Sequence, residues 1–547
     1  MEKTQIDMIK EEAEKAKCEE SKKRMIKYKI YNHKTHKIET RERVGKASKS
    51  SFKRISILLS IIIIEVAVLI FLITQFLINF LWVLVVFYSI GFIFSLRVAV
   101  SDFKSYDSKI AWILFLLVLA PVSVFAYLFA GEITATPIKS IRLKRIDKNT
   151  KFLLKTKIPA ELPLRVRRDC TYMQNCSDYV PYYNGSCEYF ENGEMFFEDV
   201  LTKLKTAEKF VFMDFFILEE GQLANAVFRI LTERVKAGVD VRIIVDGLGS
   251  HGTLSLFKIK RINRAGIKII PFEPVIPVIN LFMNYRDHRK IIVIDGKMGY
   301  VGGANIADEY VNAKKKYGLW KDAAMRIDGE AVNSLTLTFL RMWEYSSKKS
   351  AEYDKFLINA QSDVKVKGTV IMPYAGGPEQ QLKLCKEVYS NIIADTKEKL
   401  YIMTPYFIID RHMIDMIKNK AQSGVDVRII IPGVPDKKFV YSLSLANVKS
   451  MLASKVKVYT YAPGFLHSKV IISDDECAVV GSVNMDFRSF YQQYESATYI
   501  AGCDALKKIA ADFDKTFEES KEILTVNNRN IFERIWISFL RLFTPLM

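Results

Sequence analysis

The sequence predicts a mixed α/β fold of two related halves that share one site, preceded by membrane-spanning helices. Three observations carry that expectation. A motif occurs twice, as His288-Arg289-Lys290, Asp295 and Gly302-Gly303-Ala304-Asn305, and again as His467-Ser468-Lys469, Asp474 and Gly481-Ser482-Val483-Asn484. Each copy closes a longer repeated passage in which strand and helix patterns alternate. Ahead of both lies an almost entirely apolar stretch, in a chain of 547 residues with a formal net charge of +19.

Residues 1–54 form a basic tail with little apolar periodicity; the stretch Glu11 to Lys29 is rich in helix formers and reads as a solvated helix. The tail is no signal peptide, because the apolar run begins too late. From Ile55 to Leu96 Glu65 is the only formal charge. That run is too long for one span of about 20 residues and fits two. Residues 55–131 are therefore read as membrane segments, at about 55–74, 78–97 and 110–130, with Gln75 to Asn79 as the first hairpin. Trp82, Trp112 and Tyr127 are candidate interface anchors. Lysine and arginine excess marks the cytoplasmic side. The tail and the basic stretch Lys139 to Lys157 both qualify, yet three full spans would separate them. Either one segment is re-entrant or one basic flank is translocated. A multi-pass cell-membrane protein with its catalytic part in the cytoplasm is expected, since a large basic domain suits the anionic cytoplasmic leaflet.

Past Lys157 the pattern becomes α/β. Strands are expected at Phe210 to Leu218, Val239 to Val245 and Lys268 to Phe272, with a helix from Leu223 to Lys236 stopped at Gly238. The second half repeats this, with strands at Leu400 to Ile408 and Val425 to Ile431 around a helix from Met413 to Gln422, stopped at Gly424. Gly238 to Val245 aligns with Gly424 to Ile431 almost residue for residue. The halves are placed at 158–350 and 365–520, with a lysine-rich boundary near Ser346 to Lys367. Strands alternating with helices predict a sheet covered by helices. Residues 528–547 form an amphipathic helix, packed on the body or lying in the membrane interface. The seven cysteines have no CxxC spacing, so neither a disulfide framework nor a zinc site is signalled.

The motif spacing points to phosphate chemistry. On a strand, residues i and i+2 share a face, so His288 with Lys290, and His467 with Lys469, point the same way. One imidazole can attack phosphorus while the other protonates the leaving alkoxide. Lys290, Lys469, Asn305 and Asn484 would surround the non-bridging oxygens. Asp295 and Asp474 complete the candidate catalytic set by motif, although their odd spacing turns them away from the phosphate and favours a structural role. A carboxylate should orient each imidazole. Asp322 and Glu495 qualify, each about thirty residues past the histidine of its own half. Four fixed donors leave no need for a metal, and no cofactor is expected. His251 and His412 have no counterpart in the repeat and are read as surface or structural.

These motifs resemble the phospholipase D superfamily, and the wider match is similar to the bacterial cardiolipin synthases. The resembling stretches include Asp246 to Ser250, His288 to Gly296, Gly302 to Tyr310, Thr404 to Phe407, Gly464 to Lys469 and Asn484 to Phe490. The resemblance implies phospholipase D-like α/β/α halves and transfer of a phosphatidyl group between two phosphatidylglycerol molecules, giving cardiolipin and glycerol. It matches His288 and His467 to the catalytic histidines, with His288 the nucleophile by analogy, and the lysines and asparagines to phosphate-binding positions. Asp214 departs from the pattern, standing where similar synthases usually carry Glu. A phospholipase D, or a transferase using another alcohol, shares the chemistry and stays open. A nuclease would share motif and charge but gains nothing from membrane spans, so anionic membrane lipids rather than nucleic acid are the expected partners.

Overall fold

The computed structural model describes residues 5–8, 10, 25–32, 37–44, 63–64, 66–75, 81–101, 106–130, 137–274, 285–358, 368–380, 382–526, 537 and 540. Its centre is a pair of sheets with the same strand order. In the first, the strands run Ser186–Phe190, Ala324–Asp328, Met298–Gly302, Lys290–Ile294, Phe210–Phe215, Asp240–Asp246 and Lys268–Phe272. In the second they run Val370–Gly376, Gln493–Ala501, Cys477–Gly481, Val470–Ser473, Lys399–Met403, Asp426–Pro432 and Lys457–Tyr461, with Ser520–Glu522 added at the edge. The last three strands shared by both orders are parallel, and each motif strand is antiparallel to the first of them. The two expected helix stops hold: Gly238 has φ +92° and Gly424 has φ +97°, a conformation that costs glycine little.

The register defines one functional end. Phe215, the last residue of its strand, pairs with Lys290, the first of its strand; Met403 pairs likewise with Val470. The loops that follow the parallel strands therefore gather around both motifs. Between the sheets runs the helix Val332–Ser347, with residues 332–343 buried on all sides. It packs on strands of the first sheet and on Val370–Gly376 of the second, and one core cluster crosses both halves. A helix buried all round has no solvent face to keep polar.

Four expectations need correction or limits. The helix Leu164–Cys176, placed in the first half by position, docks on the second. Arg165 pairs with Asp474 at 2.7 Å, and Tyr499 donates to Asp169 at 2.8 Å. Met25–Asn32 and Lys37–Val44 form an antiparallel hairpin, so Met25 to Lys29 is strand and not helix. The segment 110–130 is bent: Tyr106–Val118 and Ala120–Ala130 are separate helices meeting at Leu119. Pro121 accounts for the break, having no N–H to donate and a ring that crowds the preceding turn. Trp112 and Tyr127 are buried against each other, ring centroids 5.0 Å apart, and are packing residues; Trp82 is exposed.

Among the described residues one helix, Trp82–Ala99, is long and apolar enough to cross a membrane. It lies close to its neighbour, where a Cβ at Gly91 would meet the Leu116 carbonyl oxygen at 2.8 Å. Most of the first apolar segment's start, all of the hairpin Gln75 to Asn79 except Gln75, and nearly all of 528–547 lie outside the described residues. Of the last, Ile537 and Leu540 pack against Ile408, Leu443 and Phe487.

Candidate active site

Two short strand pairs stitch the halves together, and they carry the site. Arg286–Asp287 runs parallel to the start of Gln493–Ala501, and Leu319–Lys321 runs parallel to Gly464–Leu466. The amide of His288 donates to the Tyr494 carbonyl at 2.9 Å, and that of His467 to the Lys321 carbonyl at 2.6 Å. Each pairing delivers the next residue of one half to a histidine of the other. Glu495 accepts from or shares a proton with His288 Nδ1 at 2.9 and 3.1 Å. Asp322 does the same for His467 Nδ1 at 2.6 Å. Asp322 and Glu495 both contact a motif histidine through Nδ1, but exchanged: each meets the histidine of the opposite half. Sequence distance suggested the in-half pairing, and the interface strands overrule it.

All of these groups are buried. Lys290 Nζ donates to the His288 carbonyl and Lys469 Nζ to that of His467. Burial lowers the His467 pKa to about 4, helped by the Lys469 cation. Burial with Lys290 and Lys469 also holds His288 well below the ordinary imidazole range. Both imidazoles are therefore neutral near pH 7, as an attacking nitrogen must be. Each histidine is depressed by the lysine of the other motif as well as its own, which marks a single shared site. Burial brings Lys290 down to about 8 and Lys469 to about 7. It pushes Glu495 up to about 8 against the pull of Lys290.

The asparagines are fixed differently. Asn305 accepts from the Ile217 amide at 3.0 Å and donates to the Tyr310 hydroxyl at 2.6 Å, leaving one amide N–H for a ligand. Asn484 is buried, and its side-chain oxygen has no hydrogen-bond partner among the described residues. The residue before each x-Asn pair matches the carboxylate of its own half. At Gly303 a Cβ would lie 2.1 Å from Asp322 Oδ1, so only glycine fits, whereas Ser482 donates to Glu495.

The structure places Asp295 and Asp474 at the opposite ends of the motif strands from the histidines. Asp295 accepts from the amides of Glu208, Lys209 and Phe210 at 2.7–2.9 Å. Asp474 accepts from those of Lys397, Glu398 and Lys399 at 2.8–3.0 Å. Both have φ +54°, and both tie the strand turn at the far end of the sheet. Asp214 is fully buried against Arg289, 3.5 Å from the guanidinium, and near enough to Lys290 to act on its ammonium. His251 and His412 are exposed.

Sequence reading missed the aromatic walls. Phe216 meets the His288 ring edge-on at 5.0 Å. Tyr310, Trp320 and Phe465 surround His467 at 5.5, 5.3 and 5.7 Å. Trp320 and Phe465 stand two residues before Asp322 and His467, a same-face spacing that could have revealed them.

The family model described as "Cardiolipin synthase, PLD-like domain" matches residues 200–343 and 389–519. An uncharacterized protein of Streptococcus mutans is 39% identical over 69% of this chain and 82% of its own length. Cardiolipin synthase 2 of Bacillus anthracis is 38% identical over 65% of this chain and 70% of its own length. A cardiolipin synthase of Oceanobacillus iheyensis is 30% identical over 83% of this chain and 98% of its own. Phosphatidylserine synthase of Haemophilus influenzae shares the fold, with a TM-score of 0.52 at 14% identity over 74% of this chain and 100% of that one.

The crossed pairing gives a sharp expectation. Asp322→Asn should slow turnover by roughly 10²–10⁴-fold, as loss of a histidine-orienting carboxylate does elsewhere. Added to His467→Ala it should cost little more, while added to His288→Ala it should cost further; Glu495→Gln should behave in the mirror fashion. In-half coupling in this double-mutant cycle would refute the exchange. The second expectation concerns pH. Lysines with lowered pKa lose their charge as pH rises through about 7 and 8. kcat/KM should fall across that range. The corresponding limb in kcat should lie higher, because bound phosphate favours the ammonium forms. A kcat/KM profile flat across that range would remove the lysines from phosphate binding.

Proposed function

The chain belongs to the cardiolipin synthase family of PLD-like phosphatidyltransferases, and from that premise we propose that it joins two phosphatidylglycerol molecules through a phosphatidyl-histidine intermediate, releasing glycerol. The observation that carries the mechanism is the pair of buried imidazoles, each held through Nδ1 by a carboxylate of the other half. That contact keeps Nε2 of each ring available to the substrate.

In the first step His288 Nε2 attacks phosphorus and the bond to the glycerol headgroup breaks. His467 gives that leaving oxygen its proton. The phosphodiester's negative charge lies between Lys290 and Lys469 and offsets the repulsion that depresses His467, so the ring can carry the proton it must donate. In the second step His467 takes a proton from a glycerol hydroxyl of the acceptor lipid, whose oxygen displaces His288. The lysines, Asn305 and Asn484 stabilise charge on the non-bridging oxygens, where one such donor is worth roughly 10²–10³ in rate. The aromatic walls and burial keep water from competing for the intermediate.

The protein acts at a membrane. Its N-terminus supports a particular topology: Ile6 is buried in the first-half core, its amide donates to Glu198 at 2.8 Å, and Lys10 pairs with Glu194 at 3.0 Å. Tail and catalytic body therefore share one side, which requires an even number of crossings. The bent pair Tyr106–Val118 and Ala120–Ala130 then enters and leaves on that side. The body faces the cytoplasm, where both basic flanks are favoured.

Purified protein in detergent, supplied with phosphatidylglycerol alone, should yield cardiolipin and glycerol. Quenching in denaturant above neutral pH should trap lipid phosphate on His288, because the imidazole nitrogen–phosphorus bond is labile to acid. Phosphatidic acid as the only lipid product would make the enzyme a hydrolase. A cysteine placed just after Glu132 should resist membrane-impermeant thiol reagents in intact cells; labelling there would reverse the orientation.

A further inference from the structure

Four exposed apolar side chains occur in two pairs related by the internal repeat. Leu248 lies two residues past the strand Asp240–Asp246, and Val434 two residues past Asp426–Pro432. They are 38% and 40% exposed. Phe257 is the second residue of the helix Leu256–Arg264, and Phe439 the second of Lys438–Leu452. They are 75% and 44% exposed. These helices are counterparts, each leading from the second parallel strand of its sheet to the third. Isolated surface apolar residues are ordinary; the same two positions exposed in both halves, whose sequences differ there, are not.

All four lie at the functional end. Asp246 accepts from the amide of Asp287, next to His288, at 3.0 Å, and the Val434 amide donates to Gly464, three residues before His467. Lysines flank them: Lys258 beside Phe257, and Lys437 and Lys438 beside Phe439. Lys437 is exposed yet close enough to the site to depress His288.

The membrane segments arrive from the same direction. After the apolar helix Ala120–Ala130, the helix Pro137–Thr150 runs antiparallel to Val332–Ser347. Arg142 donates to the Glu344 carbonyl at 3.1 Å, and eight residues later Thr150 accepts from Arg341 at 2.7 Å. The C-terminal end of Val332–Ser347 is at the functional end, where Tyr345 donates to Glu273, just past the strand Lys268–Phe272, at 2.6 Å. The chain thus leaves its apolar helices and meets the body beside the cleft, with Ile141 exposed there too.

We propose that Leu248, Phe257, Val434 and Phe439, with Lys437 and Lys438, form the face that rests on an anionic bilayer; Lys258 is already paired with Glu220 at 2.9 Å. The apolar tips enter the interface, the ammonium groups meet lipid phosphates, and the cleft opens directly onto the leaflet. A phosphodiester then reaches His288 and His467 without its acyl chains leaving the bilayer. The lipid identity rests on the transferase reading above; the docking face does not.

The test uses the full chain in phosphatidylglycerol vesicles containing lipid brominated high on its acyl chains. Phe257→Trp and Phe439→Trp are made singly. Leu524→Trp is the reference, 78% exposed at the opposite end of the second sheet, beyond the pairing of Glu522 with Tyr459. The fluorescence each adds to the parent should fall by about twofold or more at 257 and 439, as for a ring at the acyl boundary, and stay unchanged at 524. No added quenching at 257 and 439, or equal quenching at 524, overturns the proposal, whether those rings face solvent or a second copy. Quenching reports position and not turnover, so a chain that docks but makes no cardiolipin would sink the transferase reading alone.

Discussion

The hydrogen bonds from His288 to Glu495 and from His467 to Asp322 are the constraint on which the arrangement turns. Each imidazole must be neutral, in one tautomer and at one angle. A carboxylate on Nδ1 secures the tautomer and the angle, while burial and the two lysines keep the ring neutral. Supplying that carboxylate from the opposite half makes the interface between halves part of the chemistry. The strand pairs Arg286–Asp287 with Gln493–Tyr494, and Leu319–Lys321 with Gly464–Leu466, are only two and three residues long. They have little ladder energy of their own. The shared core around Val332–Ser347 holds them in register.

Concentrating two lysines, two histidines and two carboxylates in a buried site is costly, since an uncompensated buried charge is worth roughly 3–5 kcal/mol when its partner is lost. The protein offsets this by alternating signs. Lys290 lies within range of Glu495 and Asp322, and Lys469 of the same pair. The lysines remain the least satisfied charges, with pKa values drawn down toward neutrality. A phosphodiester between them restores the balance. The site is thus polarised for negative charge, and this is what preorganisation means in electrostatic terms.

Much of this was legible in the sequence, because it rests on local spacing. The repeated His-x-Lys, the glycine stops at 238 and 424, and the parallel strands that follow them are short-range signals. The even faces of the motif strands and the turned-away aspartates followed from a period of two. What was not legible is non-local. No spacing could reveal that Glu495 crosses to His288, because in-half and cross-half pairings give the same sequence. The transfer of Leu164–Cys176 to the second half, and the burial of Trp112 against Tyr127, are likewise decided by tertiary packing. The hairpin at Met25–Asn32 and Lys37–Val44 was hidden by charge: alternating basic and apolar residues there satisfy a strand as well as a solvated arm.

The exchanged carboxylates also have a consequence for biosynthesis. A nascent chain that has emerged only as far as the second motif holds His288 and both lysines but lacks Glu495. Until the strand Gln493–Ala501 is synthesised and pairs with Arg286–Asp287, the His288 ring has no fixed tautomer. The contact that orients His288 is thus completed almost last along the chain. A chain that ends before Gln493 therefore carries both motif histidines but only Asp322 of the two carboxylates that hold them.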